Sequence, residues 1–284
     1  MKRILVIGEH SYIGKAFRDY MKKHMPEVEV ILTGAKNGEW EKIDMQQYDA
    51  ALHAAAVVHQ KEKPQMKKLY HEVNAVLPYS VAKKAKKCGV GHFVFLSTMA
   101  VYGEDVAMIG KDAPIRPVTM YAKSKWKAER GLRKLADDDF RVTILRPPMV
   151  YGPGCPGNYP RLSGLAVRLS VFPKVRNKRS MIYIENLCEC IRQELTCAQR
   201  NENCRTVCPQ DAEYVNTTEL VKEIRRAHGK RTWEIPFLEK PILWAANKNS
   251  TLKKVFGNCC YDKDEENKKF QTAGFCEAVR RTER

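Results

Sequence analysis

Short apolar runs alternate with helix-like stretches along the first half of this 284-residue chain. The first run, Lys2 to Ile7, stops at Gly8. Tyr12 to His24 then has helical periodicity, and Val28 to Leu32 returns to β-branched residues. Three more apolar runs and two helix-like stretches follow, at Ala50 to Ala55, His92 to Ser97, Val142 to Leu145, Pro64 to Cys88 and Tyr121 to Leu135. This alternation predicts an α/β fold with a doubly wound parallel sheet, covered by helices on both faces.

The alternation breaks at Pro147-Pro148 and at the Gly/Pro-rich run 152–157. Here we expect the chain to leave the sheet and build a smaller, substrate-facing C-terminal lobe. Beyond this point we predict a strand and two helices, the second capped by Thr218, at Ser180 to Ile184, Asn186 to Cys197 and Thr217 to His228. The predicted sheet domain is 1–147 with a return segment at about 180–198, and the predicted lobe is 148–179 with 199–284.

Basic residues are in excess, with 50 Lys and Arg against 33 Asp and Glu, a formal charge of +17. Such a charge is compatible with nucleic-acid binding. The basic residues are spread along helix-like segments such as 83–87 and 123–134, however, and the sequence has no arginine-rich tail, ribonucleoprotein motif or zinc finger. An anionic small substrate or a generally basic surface explains the charge as well, so we expect no nucleic-acid partner.

The ten cysteines are scattered and form no paired Cys-x-x-Cys units. Cys204-x-x-x-Cys208 lacks the second half that a zinc site needs, so we expect free thiols and no metal. The apolar run that follows Met1-Lys2-Arg3 is too short for a signal peptide or a membrane span. We therefore expect a cytoplasmic protein without membrane insertion.

A glycine-containing turn joins the first strand to the first helix. The segment Gly8-Glu9-His10-Ser11-Tyr12-Ile13-Gly14 fits G-x-x-G-x-x-G spacing with a small serine in the middle place. In a doubly wound fold this turn and the helix N-terminus hold the diphosphate of a dinucleotide. An ordinary tight β-α connection explains the same residues equally well.

The next two strand ends carry further candidate cofactor contacts. No carboxylate follows Val30-Ile31-Leu32, and Thr33 and Lys36 could accept a 2′-phosphate, which favours NADP(H) over NAD(H). Asp44 is a candidate for the adenine amino group, or else a solvated loop residue. Ala54 and Ala55 are small enough to let a cofactor lie against the backbone, although close helix-sheet packing is an equal explanation.

Tyr121 and Lys125 are four residues apart in a predicted helix, and so lie on one face. A lysine beside a phenol, together with an oxidised nicotinamide, would lower the pKa of the tyrosine from about 10. Such a tyrosine can take and return a proton. Thr98, at the end of the strand 92–97, could hydrogen-bond a substrate oxygen beside Tyr121, or could simply cap the strand end.

In this order and spacing the motifs resemble the extended short-chain dehydrogenase/reductases that act on nucleotide sugars. The motifs are the glycine turn, His53-Ala54-Ala55, Ser97-Thr98-x-x-Val101-Tyr102-Gly103, Tyr121-x-x-x-Lys125 and Leu145-Arg146-Pro147-Pro148-Met149-Val150-Tyr151-Gly152. The resemblance covers the chain to about residue 230. It implies a Rossmann domain that binds NAD(P) through the first turn, Tyr121, Lys125 and Pro147, with Thr98, Tyr121 and Lys125 as catalytic residues.

Within the lobe, Cys155-Pro156-Gly157-Asn158-Tyr159-Pro160-Arg161 and Arg176-Asn177-Lys178-Arg179-Ser180 resemble a branch of the family from capsule and O-antigen synthesis. These enzymes reduce UDP-4-keto-6-deoxy-N-acetylhexosamines. The resemblance implies that Asn158 and Arg179, with Arg161 of the same motif, hold a UDP-sugar. The segments 64–88 and 121–135 correspond to those that form a dimer interface in many relatives, which implies a homodimer.

Three reactions are common in such enzymes. A dehydratase carries an Asp-Glu pair after the threonine, where this chain has Met99-Ala100. Reduction of a C4 ketone and 4-epimerisation both use Thr98, Tyr121 and Lys125, and the absence of an acid after the second strand favours reduction. A non-catalytic NAD(P)-binding regulator is a further alternative, disfavoured because both the tyrosine and the lysine are present.

Overall fold

The computed structural model describes residues 2–36, 38–103, 106–196 and 202–284. In these ranges the strands are β1 (Arg3–Ile7), β2 (Glu29–Thr33), β3 (Ala50–His53), β4 (His92–Leu96), β5 (Met108–Ile109), β6 (Arg141–Leu145), β7 (Met149–Tyr151), β8 (Val171–Pro173), β9 (Met181–Tyr183), β10 (Cys204–Val207), β11 (Trp233–Ile235) and β12 (Cys260–Tyr261). The α-helices are α1 (Tyr12–His24), α2 (Lys67–His71), α3 (Leu77–Lys87), α4 (Met120–Arg133), α5 (Asn158–Arg168), α6 (Ile184–Thr196), α7 (Thr217–Ala227), α8 (Glu239–Lys248), α9 (Ser250–Phe256) and α10 (Phe275–Thr282).

The chain divides into two compact units. Unit 1 comprises 1–104, 115–147 and 187–209, and unit 2 comprises 105–114, 148–186 and 210–284. Among the described residues, no helix has the length and apolar character needed to cross a membrane. The nine cysteines in the described ranges are reduced thiols, and Cys197 lies outside those ranges.

Unit 1 contains a parallel sheet of six described strands in the order β10-β6-β4-β3-β1-β2. This order confirms the doubly wound α/β fold. β1 is apolar throughout and its residues from Ile4 to Ile7 are fully buried between neighbours on both sides, as expected of a central parallel strand. Ile7 pairs with Thr33 and with His53, so the carboxyl ends of β1, β2 and β3 lie at one edge of the sheet.

The sixth strand corrects the predicted domain limits. β10 pairs in parallel with β6 in unit 1, so 204–207 belong to the sheet and not to the predicted lobe. β9 pairs with β7 in unit 2, so 181–183 belong to unit 2 and not to the predicted return segment. β10 has only four residues, all partly exposed, so its sequence lacks the buried apolar run that marks the central strands.

Unit 2 is built from short strand pairs and helices. Its two-stranded sheets are β7-β9, β8-β11 and β5-β12 among the described residues. The cap of α7 is Asn216, whose side chain accepts hydrogen bonds from the N–H groups of Thr218 and Glu219. Thr218, the predicted cap, is buried and donates to the Pro173 carbonyl at 2.9 Å, so its hydroxyl anchors β8.

Candidate active site

The turn after β1 has room only for glycine. Gly8 has a φ of 121°, and a Cβ at this position would lie 2.8 Å from the backbone nitrogen of Ala55. The N–H groups of Ala54 and Ala55 both donate to the Ile7 carbonyl at 2.9 Å, which holds the two segments together. A closely packed turn that leads into a helix N-terminus fits the diphosphate of a dinucleotide.

The first turn of α1 follows directly. Ser11 is the N-cap, and its hydroxyl accepts a hydrogen bond from the Gly14 N–H at 3.2 Å. Tyr12 and Ile13 are the first two helical residues. The serine in the middle of the motif therefore has a definite structural role, that of starting the helix.

The predicted contacts beyond β2 occupy different environments. Thr33 is buried, and its carbonyl accepts from the Gly8 N–H at 2.8 Å. Lys36 is exposed in the following bend. Asp44 accepts a hydrogen bond from the Gln46 N–H at 3.1 Å and so caps a short helical turn.

Two carboxylates that the sequence analysis missed flank the end of β2. A Cβ at Gly34 would overlap the Glu39 carboxylate and would lie 3.1 Å from Oε1 of Glu9. Glu9 belongs to the glycine turn, and Glu39 follows β2 by six residues. Only the tertiary fold brings both side chains to the place where sequence inspection found no acid.

The start of α4 is fixed by two neighbours. Thr119 caps the helix by accepting from the Ala122 N–H at 3.1 Å. The carboxylate of Glu62 accepts from the N–H groups of Met120 and Tyr121, each at 2.9 Å. Glu62 lies in a loop after β3, and the sequence offered no signal for its role in positioning Tyr121.

Tyr121 and Thr98 are brought together at the carboxyl edge of the sheet, where the Thr98 hydroxyl is close enough to act on the Tyr121 phenol. Thr98 follows β4, and its Oγ1 accepts a hydrogen bond from the Ala100 N–H at 3.2 Å. Burial raises the pKa of Tyr121 to about 12, although the nearby Thr98 hydroxyl lowers it. The protein alone therefore does not produce the lowered pKa that we predicted with lysine and nicotinamide combined.

Lys125 is buried on the same helix. Its ammonium donates to the Leu96 carbonyl at 2.7 Å and lies 4.6 Å from the centre of the Phe95 ring. Burial lowers the pKa of Lys125 to about 7, and Glu129, one helical turn further, acts in the opposite direction. Burial, and next the charge of Lys125, lower the pKa of His53 to about 3, so this histidine is neutral at physiological pH.

A buried ion pair extends from this helix. Glu129 contacts Arg146 through two hydrogen bonds, of 3.0 Å to Nε and 2.5 Å to Nη2, and accepts a third from the Ser97 hydroxyl. Arg146 also donates to the Tyr102 hydroxyl at 2.7 Å. The pair therefore ties α4 to the ends of β4 and β6, the strands that present Thr98 and Pro147. Pro147 in turn accepts from the Met99 N–H at 3.0 Å.

Asn74 makes a second buried link. It lies in a π-helical stretch, Glu72–Val76, and its amide pairs with both the N–H and the carbonyl of Val57 at 2.8 and 3.0 Å. The amide also donates to Ser124 at 3.2 Å. The segment after β3 and helix α4 are thereby fixed to each other.

In unit 2, Asn158 and Arg161 are exposed in the first turns of α5. Arg179 is more enclosed, since its guanidinium donates to the Gly257 carbonyl at 3.0 Å and burial lowers its pKa. Its backbone bridges Val215 and Cys259. No group of three or more His, Cys, Asp or Glu side chains in the described ranges could hold a metal ion.

A model of the NAD dependent epimerase/dehydratase family matches residues 4–203. The UDP-glucose 4-epimerase of Vibrio cholerae is 34% identical over 198 residues, which cover 65% of this chain and 58% of that protein. The N-acetyl-alpha-D-glucosaminyl-diphospho-ditrans,octacis-undecaprenol 4-epimerase of Escherichia coli O157:H7 is 31% identical over 179 residues, covering 61% and 52%. The chain thus matches little more than half the length of these relatives.

Solved structures share the fold at low identity. The UDP-glucuronic acid 4-epimerase from Bacillus cereus, in complex with NAD, has a TM-score of 0.74 and 14% identity and covers 99% of this chain and 97% of its own. A dTDP-4-dehydrorhamnose reductase from Bacillus anthracis, in complex with NADP, has a TM-score of 0.67 and 18% identity, covering 83% and 84%.

Proposed function

We propose that this chain, which belongs to the NAD dependent epimerase/dehydratase family, is a 4-epimerase of a sugar diphosphate. The observation that carries the proposal is the pairing of Tyr121 with Thr98 at the carboxyl edge of the sheet, with buried Lys125 on the same helix as Tyr121. The identity of about one third to two 4-epimerases supports epimerisation over the reduction that the sequence analysis favoured.

Each residue of this set has a task in proton transfer. Oxidation at C4 removes the hydroxyl proton, and reduction of the ketone returns it. NAD supplies the hydride acceptor and donor when bound. Tyr121 would exchange the proton and Thr98 would orient it. The raised pKa keeps Tyr121 protonated at neutral pH, which suits the reductive half, whereas the oxidative half needs the charge of Lys125 to stabilise the phenolate.

The choice between NAD(H) and NADP(H) depends on the residues at the end of β2. A 2′-phosphate carries about −1.5 to −2 charges and would be repelled by Glu39 and Glu9, so these carboxylates support NAD(H) rather than NADP(H). Binding of both cofactors to the protein and to Glu39→Gln tests this. We expect NADP(H) affinity to rise about tenfold in the variant, and an unchanged NADP(H) affinity would argue against it.

Reduction of a 4-keto sugar is the second candidate. It would use the same three residues, and exposed Lys36 near the end of β2 favours it, because its charge could offset a 2′-phosphate. The likeness of the lobe motifs to keto-sugar reductases favours it too.

The diphosphate is the shared chemistry of the substrates in the two relatives' names. We propose a UDP-sugar first, held by Asn158, Arg161 and Arg179, and a polyprenyl-diphosphate-linked sugar second. Purified protein is incubated with NAD and UDP-Glc, UDP-GlcNAc or GlcNAc-diphospho-undecaprenol, and separately with NADPH and a UDP-4-keto-6-deoxy sugar. Formation of the C4 epimer without net change in nicotinamide absorbance supports the proposal. Stoichiometric loss of NADPH with the keto sugar, without epimer formation, contradicts it.

A homodimer stays a prediction. The helical segment from α2 to α3 exposes Leu69, Val76 and Tyr79, each about 40% accessible. Light scattering of the purified protein, with Leu69→Ser/Tyr79→Ser as the disrupting variant, tests it.

A further inference from the structure

Three exposed aromatic side chains cluster within twelve residues of unit 2. Phe237 is 78% exposed, Trp233 71% and Trp244 63%, the highest values among the large hydrophobic residues named as exposed in the described ranges. Exposed aromatics so close together in sequence exceed the scattered apolar residues normal for a protein surface.

These residues lie in three consecutive elements of unit 2, which are β11, a 3-10 turn and α8. Trp233 in β11 pairs with Val171 in β8, which is itself 46% exposed. Phe237 lies in the short 3-10 turn Pro236–Leu238 that leads directly into α8, and α8 carries Trp244. Ala246, on the other side of that helix, is buried. We call Val171, Trp233, Phe237 and Trp244 the aromatic patch.

The surroundings of the aromatic patch are basic. Between 230 and 254 the sequence has lysine or arginine at six positions, 230, 231, 240, 248, 253 and 254, and only two acids, Glu234 and Glu239. Both acids are already paired within unit 2. Glu234 contacts Lys222 at 2.8 Å and Lys174 at 3.4 Å, and Glu239 contacts Arg176 at 3.5 Å. The segment therefore carries an excess of positive charge, and Lys248 lies 4.0 Å from the centre of the Trp244 ring.

The combination of aromatic and basic side chains identifies the partner. We infer that the aromatic patch docks on the surface of an anionic lipid bilayer. Tryptophan and phenylalanine favour the membrane interface, and Lys and Arg near them are attracted to acidic headgroups. Protein interfaces disfavour lysine, and single-stranded nucleic acid stacks on aromatic rings but gains nothing from an aliphatic residue such as Val171.

Peripheral docking would bring the enzyme to a lipid-linked sugar diphosphate, the second substrate class proposed above. The inference about the surface does not depend on that substrate. Membrane binding and turnover of a soluble UDP-sugar are separate measurements, so failure of one is distinguishable from failure of the other.

The test is co-sedimentation with vesicles of equimolar phosphatidylglycerol and phosphatidylcholine, and with phosphatidylcholine alone. We expect the protein to bind the anionic vesicles and to be released at about 1 M salt. Trp233→Ser/Phe237→Ser/Trp244→Ser and, separately, Lys240→Glu/Lys248→Glu should each weaken binding at least about tenfold. Met108→Ser/Val118→Ser, which changes two exposed apolar residues outside the aromatic patch, is the matched control and should bind as the unchanged protein does.

Three outcomes would overturn the inference. The first is equal vesicle binding by the aromatic triple variant. The second is self-association through the patch without vesicle binding, seen by light scattering. The third is tight binding of single-stranded DNA that the triple variant loses, without affinity for vesicles.

Discussion

The two compact units hold their candidate site residues in different ways. In unit 1, Lys125, Asn74 and Glu129 are at most 1% exposed and are hydrogen-bonded or ion-paired on helical segments beside a central sheet. In unit 2, Asn158 and Arg161 are exposed, and the strands there have two or three residues. A buried, preorganised frame suits the chemical step, whereas an exposed face suits recognition. Substitutions should therefore affect turnover and stability in unit 1, and binding in unit 2.

Replacement of Tyr121 by Phe should have the largest effect. Without the hydroxyl there is no proton donor or acceptor, and kcat should fall about 10²- to 10⁴-fold. The circular dichroism spectrum and melting temperature should stay close to those of the unchanged protein. Tyr79→Phe, on an exposed part of α3, is the control and should keep full activity. Retention of activity by Tyr121→Phe would remove this residue from the mechanism.

Breaking the buried ion pair should have the next largest effect. Arg146→Met leaves the Glu129 charge buried and should lower the free energy of unfolding by about 3–5 kcal/mol. The double variant Glu129→Leu/Arg146→Met should recover most of that loss. Lys68→Met, which removes the exposed pair with Glu72, should cost less than about 1 kcal/mol. Urea unfolding measures all three, and equal losses for the single and double variants would be inconsistent with a buried charge.

The titration of Lys125 should appear as a moderate pH dependence of stability. Folding lowers its pKa from 10.5 to about 7, so between these values the unfolded chain binds a proton that the folded chain does not. The free energy of unfolding should therefore rise with pH through this window. Lys125→Met lacks this contribution. Parallel pH curves for the two proteins in urea unfolding would count against a buried, shifted lysine.

The smallest effects are expected in unit 2. Arg179→Met should weaken UDP binding about tenfold or more, because a charge-assisted hydrogen bond is lost. Arg161→Met should weaken it only about threefold, since solvent screens an exposed charge. Calorimetric titration with UDP measures both. A larger loss for Arg161 than for Arg179 would reverse the assumed roles.

The sequence predicted the sheet, and the motifs placed Thr98, Tyr121 and Lys125 correctly at strand ends and on α4. These features depend on local periodicity, which a single sequence displays directly. The roles of Glu62 and Asn74 have no local sequence signal, because each binds a partner that is distant in sequence. Glu39 follows β2 by six residues, so it does not occupy the position directly after the strand where an acid is expected. The residue type of Thr218 suits a helix cap, but the helix begins at Thr217, so Asn216 is the residue that caps it. β10 was missed because it is short and polar.

Transfer of the C4 hydrogen tests the central claim most directly. A UDP-sugar substrate carrying deuterium at C4 is incubated with the protein and NAD, and the products are analysed by NMR and mass spectrometry. If Tyr121 serves an epimerase, both C4 epimers should form, deuterium should stay at C4, and nicotinamide absorbance should show no net change. Unchanged substrate in this reaction, together with NADPH-dependent reduction of a 4-keto sugar, would contradict the account.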